Sequence, residues 1–221
     1  VADGTISLGV GTDRPGRLGY NGTGDTTDRV IDLIGRSAGG AWGTISHEGT
    51  GPLVISNVTF STTGSKRLAL FGSSTSTAEI VSAIVNSSDS TTEITKEQSV
   101  TWILSGNNTY SGPTTINGGT LVFPGSNTLA GAMAINTGVL KLPAGAFMSS
   151  AANFGIRNNG AFHLDGGTFI RNTPEGDGET FTIGNSAGGY GHLLVDSGAL
   201  TCTRLYAGGL GIGTTRFAGG S

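Results

Sequence analysis

The chain has 221 residues, 40 of them glycine, and only 12% of its side chains are charged, about half the usual share of roughly 25%. The formal net charge of −3 comes from scattered residues with no run of Lys or Arg, which excludes a basic nucleic-acid-binding stripe. No apolar stretch approaches the ~20 residues that a membrane-spanning helix needs, and the lone cysteine, Cys202, excludes an internal disulfide framework.

The predicted elements are short. From the N-terminus, Ile6-Ser7-Leu8 and Arg17-Leu18-Gly19-Tyr20 are β-like, Asn21 to Asp25 is a turn, and Arg29 to Ile34 alternates imperfectly. A short helix there would hold β-branched residues inside and Gly on its flank. Trp42-Gly43-Thr44-Ile45, Leu53-Val54-Ile55, Val58-Thr59-Phe60 and Arg67 to Phe71 follow, and Glu79 to Val85 is the longest run of the first half. The stretch Trp102 to Phe123 holds three β-like runs separated only by Gly, Asn, Ser, Pro and one Tyr, residues that turn a chain sharply.

Beyond Phe123 the spacing becomes a period. Ile116 to Ile135 is 19 residues, Leu121 to Leu140 is 19, Asn117 corresponds to Asn136, and Ile135 to Ile156 is 21. Ala161-Phe162-His163-Leu164, Thr168-Phe169-Ile170, an insertion at 171–179, Phe181-Thr182-Ile183, Leu193-Leu194-Val195, Ala199-Leu200-Thr201 and Leu205-Tyr206-Ala207 complete the readable part. Runs this short cannot bury themselves. At a period of about 20 residues they are the walls of a parallel β-helix, each sheltered by the next winding.

The expected fold is therefore all-β, a parallel β-helix (β-solenoid) of roughly 9–11 coils, on the order of 50 Å long. It extends over 1–221 as a single unit, with less regular coils at 1–99, the best-matched repeats at 100–142 and further coils at 143–221. Ile116, Ile135 and Ile156 are expected to stack inward, and the matched Asn to bond to its stacked copies. The rival geometry is an antiparallel sandwich, because Asn117-Gly118 and Asn159-Gly160 are also hairpin signals. The three- and four-residue runs at a fixed period favour the helix.

One stretch also carries a family resemblance. Lys96, Trp102, Leu104-Ser105-Gly106, Asn108-Thr109-Tyr110-Ser111-Gly112, Thr114-Thr115-Ile116 and Gly119-Thr120-Leu121 resemble the autotransporter-associated β-strand repeat of passenger regions in secreted bacterial proteins. Ile183 to Thr201 looks like a second repeat type from such proteins, and Leu18 to Val85 like the segments that precede the repeat. Glu97 to Val100 and Pro113 depart locally from the pattern. The resemblance implies the right-handed hand of the helix, secretion or display on the outer surface of a bacterium, and no catalytic residue.

No catalytic, cofactor-binding or metal-ligating residue is assigned from the sequence. His47, His163 and His192 lie far apart without partners at metal-ligand spacing. Asp25, Asp28 and Asp32, and again Glu175, Asp177 and Glu179, are acidic turns that lack the full calcium-loop pattern. Cys202 reads as a small hydrophobe on a strand. Gly9-Val10-Gly11 and Gly208-Gly209-Leu210-Gly211 are corner glycines, since neither joins a strand to a helix as a phosphate loop would. Glycan-acceptor triplets start at Asn21, Asn57, Asn86 and Asn107, and chance supplies such matches in a Ser/Thr/Asn-rich chain.

The chain begins at Val1, and the end at Gly219-Gly220-Ser221 has no cap-like sequence, which favours a piece of a longer protein. The expected function is non-enzymatic: a rigid extracellular rod of a surface passenger that holds something away from a cell, or a subunit of a filament or matrix, with self-association expected through its ends or lateral faces. The alternative is an adhesin that binds glycans through aromatics such as Tyr110, Tyr190 and Tyr206. A β-helical polysaccharide lyase or hydrolase ranks third, because the acids are few and sit mostly in turns.

Overall fold

A computed structural model describes residues 4–9, 14–35, 42–171 and 180–218. Val10, Gly11, the acidic group Glu175, Asp177 and Glu179, and Gly219-Gly220-Ser221 lie outside the described residues. Twenty-one strands and no helix occur among the described residues, and the strands pair in parallel throughout. The protein is a parallel β-solenoid, as the period requires.

Three walls surround the core. The first is a nine-stranded sheet that takes one strand from each winding, from Gly16–Tyr20 through Thr92–Lys96, Thr114–Ile116, Met133–Ile135, Phe154–Ile156 and Phe181–Ile183 to Leu205–Ala207. The second belongs to a twelve-stranded sheet and runs from Ile6–Leu8 and Asp25–Leu33 through Thr101–Leu104, Thr120–Val122, Val139–Pro143, Ala161–Arg171 and Tyr190–Cys202 to Ile212–Phe217. The third wall is continuous with the second. Ser126–Leu129 and Phe147–Ser150 pair with each other and then with the far half of Ala161–Arg171, which bends where its register shifts between Leu164 and Thr168.

Nine rungs in the first wall make eight steps among the described residues, fewer than the roughly 9–11 coils expected, because many windings are longer than 20 residues. The step is 20, 19 and 21 residues from Lys96 through Ile116 and Ile135 to Ile156. Outside this region the windings are longer: 25 and 26 residues from Ile45 to Leu70 to Lys96, and 27 from Ile156 to Ile183.

Alternation within each strand puts every second side chain inside. Ile116, Ile135, Ile156 and Ile183 form a continuous column, each without solvent exposure. Across the core, Ala78, Trp102, Leu121, Leu140, Phe162 and Leu193 form a second one. Phe154 meets Phe181, Phe169 and Phe162 at ring-centroid distances of 4.7, 5.1 and 5.3 Å, geometry that adds to the roughly 1.5–3 kcal/mol of each buried ring.

One open local reading is decided and one expectation changes. Arg29 to Ile34 is not helical: Asp25–Leu33 is a nine-residue strand, because Val30 and Ile31 fit a pleated wall better than a helix interior. The run Glu79 to Val85 is only partly strand. Thr77–Ile80 ends it, after which Ile84 is buried while Val81 and Val85 are exposed.

The Asn-Gly pairs are corners and not hairpins. Asn117-Gly118-Gly119 links Thr114–Ile116 of the first wall to Thr120–Val122 of the second, so the chain changes sheet instead of reversing within one. Gly119 has φ +59°, and a Cβ there would lie 2.5 Å from the Val100 carbonyl oxygen and 2.6 Å from that of Gln98. Gly119→Ala combines left-handed strain with this close approach, and should destabilise the chain by about 2–3 kcal/mol. A urea titration monitored by circular dichroism will measure it, and a loss below about 0.5 kcal/mol would contradict the corner geometry.

Candidate binding surface

The sequence-level site candidates are distributed along the rod. His47 is fully buried, tilted against the Tyr20 ring at 5.6 Å, and burial lowers its pKa, so it is a neutral core ring. His163 Nε2 lies 2.8 Å from Asp196 Oδ2 on the outer surface, while His192 Nδ1 lies 2.7 Å from Thr214 Oγ1. The three histidines are not brought together, and no group of three His, Cys, Asp or Glu that could hold a metal ion forms among the described residues.

The Asp25, Asp28 and Asp32 group separates. Asp25 and Asp28 are exposed, whereas Asp32 is buried. Its carboxylate accepts hydrogen bonds from Thr59 Oγ1 at 2.8 Å, from Ser61 N at 3.0 Å and from Ser61 Oγ. Burial works to raise its pKa, but the Ser61 and Thr59 hydrogen bonds, with Lys66 nearby, hold it below the usual carboxylate range. Cys202 is half-buried, and burial pushes its thiol up, away from nucleophilic reactivity. Two of the glycan-acceptor triplets are structural corners. Asn86 Oδ1 accepts from the backbone of Thr92 and Ser111, and Asn107 Oδ1 from that of Ser126.

Of the three aromatics expected on the surface, Tyr190 and Tyr206 are 44% exposed and Tyr110 is not exposed at all. Tyr110 stands in the core with its hydroxyl 2.7 Å from Thr114 Oγ1, and burial raises its pKa. It follows the inward Asn108 by two residues, so alternation turns it inward as well.

The matched asparagines form the expected ladder. Asn136 Nδ2 donates to Asn117 Oδ1, and Asn117 Nδ2 to Glu97 Oε1, both at 2.6 Å. A second ladder inside the core escaped the sequence reading. Asn108 Nδ2 donates to Asn127 Oδ1 at 2.7 Å, Asn108 Oδ1 accepts from Ile84 N at 2.8 Å, and both asparagines have no solvent exposure. Their spacing of 19 residues, the period already visible in the isoleucines, is the signal that could have found them. Two buried lysines were also missed. Lys66 Nζ donates to Thr62 Oγ1, Thr63 O and Gly35 O, and Lys96 Nζ to the carbonyls of Glu97, Gln98 and Gly118.

What remains outward is a flat, ordered surface. On the second wall Lys141 pairs with Asp165 at 2.8 Å, and Asp196 receives both His163 at 2.8 Å and Arg216 at 2.6 Å. These solvent-screened pairs cross from one winding to the next and add little to stability. The described residues therefore form a parallel solenoid with a polar, laddered exterior, the architecture of repeat proteins that present extended surfaces.

The segment that sets the short period is a recognised repeat. Residues 94–123 and 119–142 match the family described as passenger-associated-transport-repeat. Over 120 residues the chain is 34% identical to the adhesin BmaC autotransporter of Brucella suis biovar 1 (strain 1330), an alignment that covers 52% of this chain and 3% of that protein. The chain thus spans a small fraction of its relative's length. No solved structure matched it. No helix among the described residues is long and apolar enough to cross a membrane.

Proposed function

We propose that the chain is a length of an autotransporter passenger displayed on the outer surface of a bacterium, where it acts without catalysis as an adhesin-like binding rod. The observation that carries this reading is the passenger-type repeat at 94–142 set into an unbroken parallel stack. The similarity to a protein named as an adhesin gives it direction. A solenoid keeps its outer residues in fixed rows, so weak contacts repeated along the rod add up on a multivalent surface. Displaying the chain on a non-adherent bacterial host should raise attachment to host-cell or glycan-coated surfaces by tenfold or more. Attachment equal to that of the undecorated host would overturn the adhesin reading.

A second reading, self-association through a solenoid end, draws on a different observation. Leu210, Ile212 and Phe217 are exposed, and a cluster of exposed apolar side chains is buried when another chain docks on it. Sedimentation of the purified chain across a hundredfold concentration range tests it. A concentration-dependent rise in mass supports association, and a constant monomer removes it while leaving the adhesin reading intact.

A further inference from the structure

The outer face of the first wall carries a cleft that neither the repeat assignment nor the ladders explain. Strand register puts Thr115, Ala134, Gly155, Thr182 and Tyr206 in one outward row on successive windings. Side-chain size falls to nothing at Gly155 and rises again to a tyrosine. The notch so formed is a cleft of about 370 Å³, in the range of small-ligand sites.

Three polar groups meet in the space that Gly155 leaves. A Cβ there would lie 3.3 Å from Arg157 Nη2, 3.7 Å from Asn185 Nδ2 and 3.7 Å from Thr182 Oγ1. All three can donate hydrogen bonds. Thr182 is 9% exposed, and its hydroxyl, like Arg157 Nε, is buried without a hydrogen-bond partner among the described residues. Orphaned buried polar groups are rare and call for a partner. Among its described lining residues there is no carboxylate, and the charged group is the Arg157 guanidinium.

We infer that this cleft binds the carboxylate of an acidic sugar, a hexuronate or similar unit of a surface glycan. This deepens the adhesin reading and rests on it. A guanidinium fork flanked by two neutral donors suits the two oxygens of a carboxylate better than a neutral hydroxyl pair. The sugar ring is favoured over an acidic peptide by what stands next to the clamp. Tyr206 is half-exposed and about 4.8 Å away along the rod at Thr182's neighbour position, a flat apolar surface for the C–H face of a pyranose.

The test uses the full chain and trigalacturonate, followed by isothermal titration, beside the carboxyl-reduced neutral trimer and a tri-glutamate peptide. The variants are Arg157→Gln, Tyr206→Ala and Gly155→Thr, the last filling the floor with a residue that sheets accept. Circular dichroism and thermal melts confirm that each variant folds. Trigalacturonate binding should weaken at least tenfold in Arg157→Gln and Gly155→Thr and several-fold in Tyr206→Ala, and the neutral trimer should bind at least tenfold more weakly. Equal binding by all variants, equal binding of the neutral trimer, preference for the peptide, or no binding of trigalacturonate would overturn the inference. If bacteria displaying the chain adhere while those displaying Arg157→Gln adhere equally, the cleft is excluded and the adhesin reading stands; if neither adheres, both fall.

Discussion

Trp102→Ala should lower the stability of the chain by about 3–5 kcal/mol, the range for deleting a fully buried large aromatic. Trp102 has no solvent exposure, and its indole Nε1 donates to the Phe71 carbonyl at 2.9 Å. In its column it stands between Ala78 and Leu121, so the small alanine beside it makes room for the indole, and no neighbour is large enough to fill the space it vacates. The substitution also orphans the Phe71 carbonyl, which belongs to the opposite wall. The indole is thus a crossbar between walls as well as a packing unit. In a linear stack each rung is stabilised mainly by its neighbours. A defect at Trp102 should therefore also uncouple the windings on either side, seen as a smaller urea dependence and loss of a single transition. A loss under 1 kcal/mol with an unchanged slope would show that the core there is plastic and the crossbar unimportant.

The architecture was readable because the windings from Lys96 to Ile156 share nearly one length. Equal steps keep Ile116, Ile135 and Ile156 in column, and the same arithmetic carries Asn117 onto Asn136. The parallel sense was readable for the same reason: a fixed period in short runs leaves each strand nothing to pair with except its own copy. The passenger-repeat resemblance over this stretch agreed with the match at 94–142.

What stayed hidden depends on contacts between windings of unequal length or on polar groups turned inward. Tyr110 lies in the run Asn-Thr-Tyr-Ser-Gly, which reads locally as a solvated turn, yet this segment helps close the core beside the third wall, with Thr128 N bonded to Asn108 O at 2.9 Å. Lys66 and Asn108 look like surface residues until neighbouring windings supply carbonyls and amides for them. The Gly155 cleft draws on Arg157 of its own winding and on Thr182 and Asn185 of the next, across an insertion that breaks the period. No local pattern in the sequence joins those positions.

Lys96 offers the sharpest test of how polar groups are accommodated in this core. It occupies the aliphatic column between Leu70 and Ile116 without solvent exposure. Its ammonium donates to Glu97 O at 2.7 Å and to Gln98 O and Gly118 O at 3.0 Å. Burial lowers its pKa to about 8, with the Glu97 charge opposing the shift. The unfolded chain holds this proton up to an ordinary lysine pKa of about 10.4. Between those values the unfolded state binds more protons than the folded one, so stability rises with pH through the window. Below pH 8 the lysine is charged in both states and its contribution is flat at its lowest level. The gain across the window is up to about 3 kcal/mol. Lys96→Met removes the buried charge but leaves three carbonyls without the ammonium, at about 1–3 kcal/mol each, so at pH 7 the loss outweighs the relief by about 3 kcal/mol. The variant lacks the titrating group, and the gap between it and the parent should widen as pH rises from 8 to 10. Urea unfolding of both proteins at pH 7, 8, 9 and 10 measures this gap, and parallel profiles would mean that the three carbonyls hold the proton as firmly in the core as water does outside.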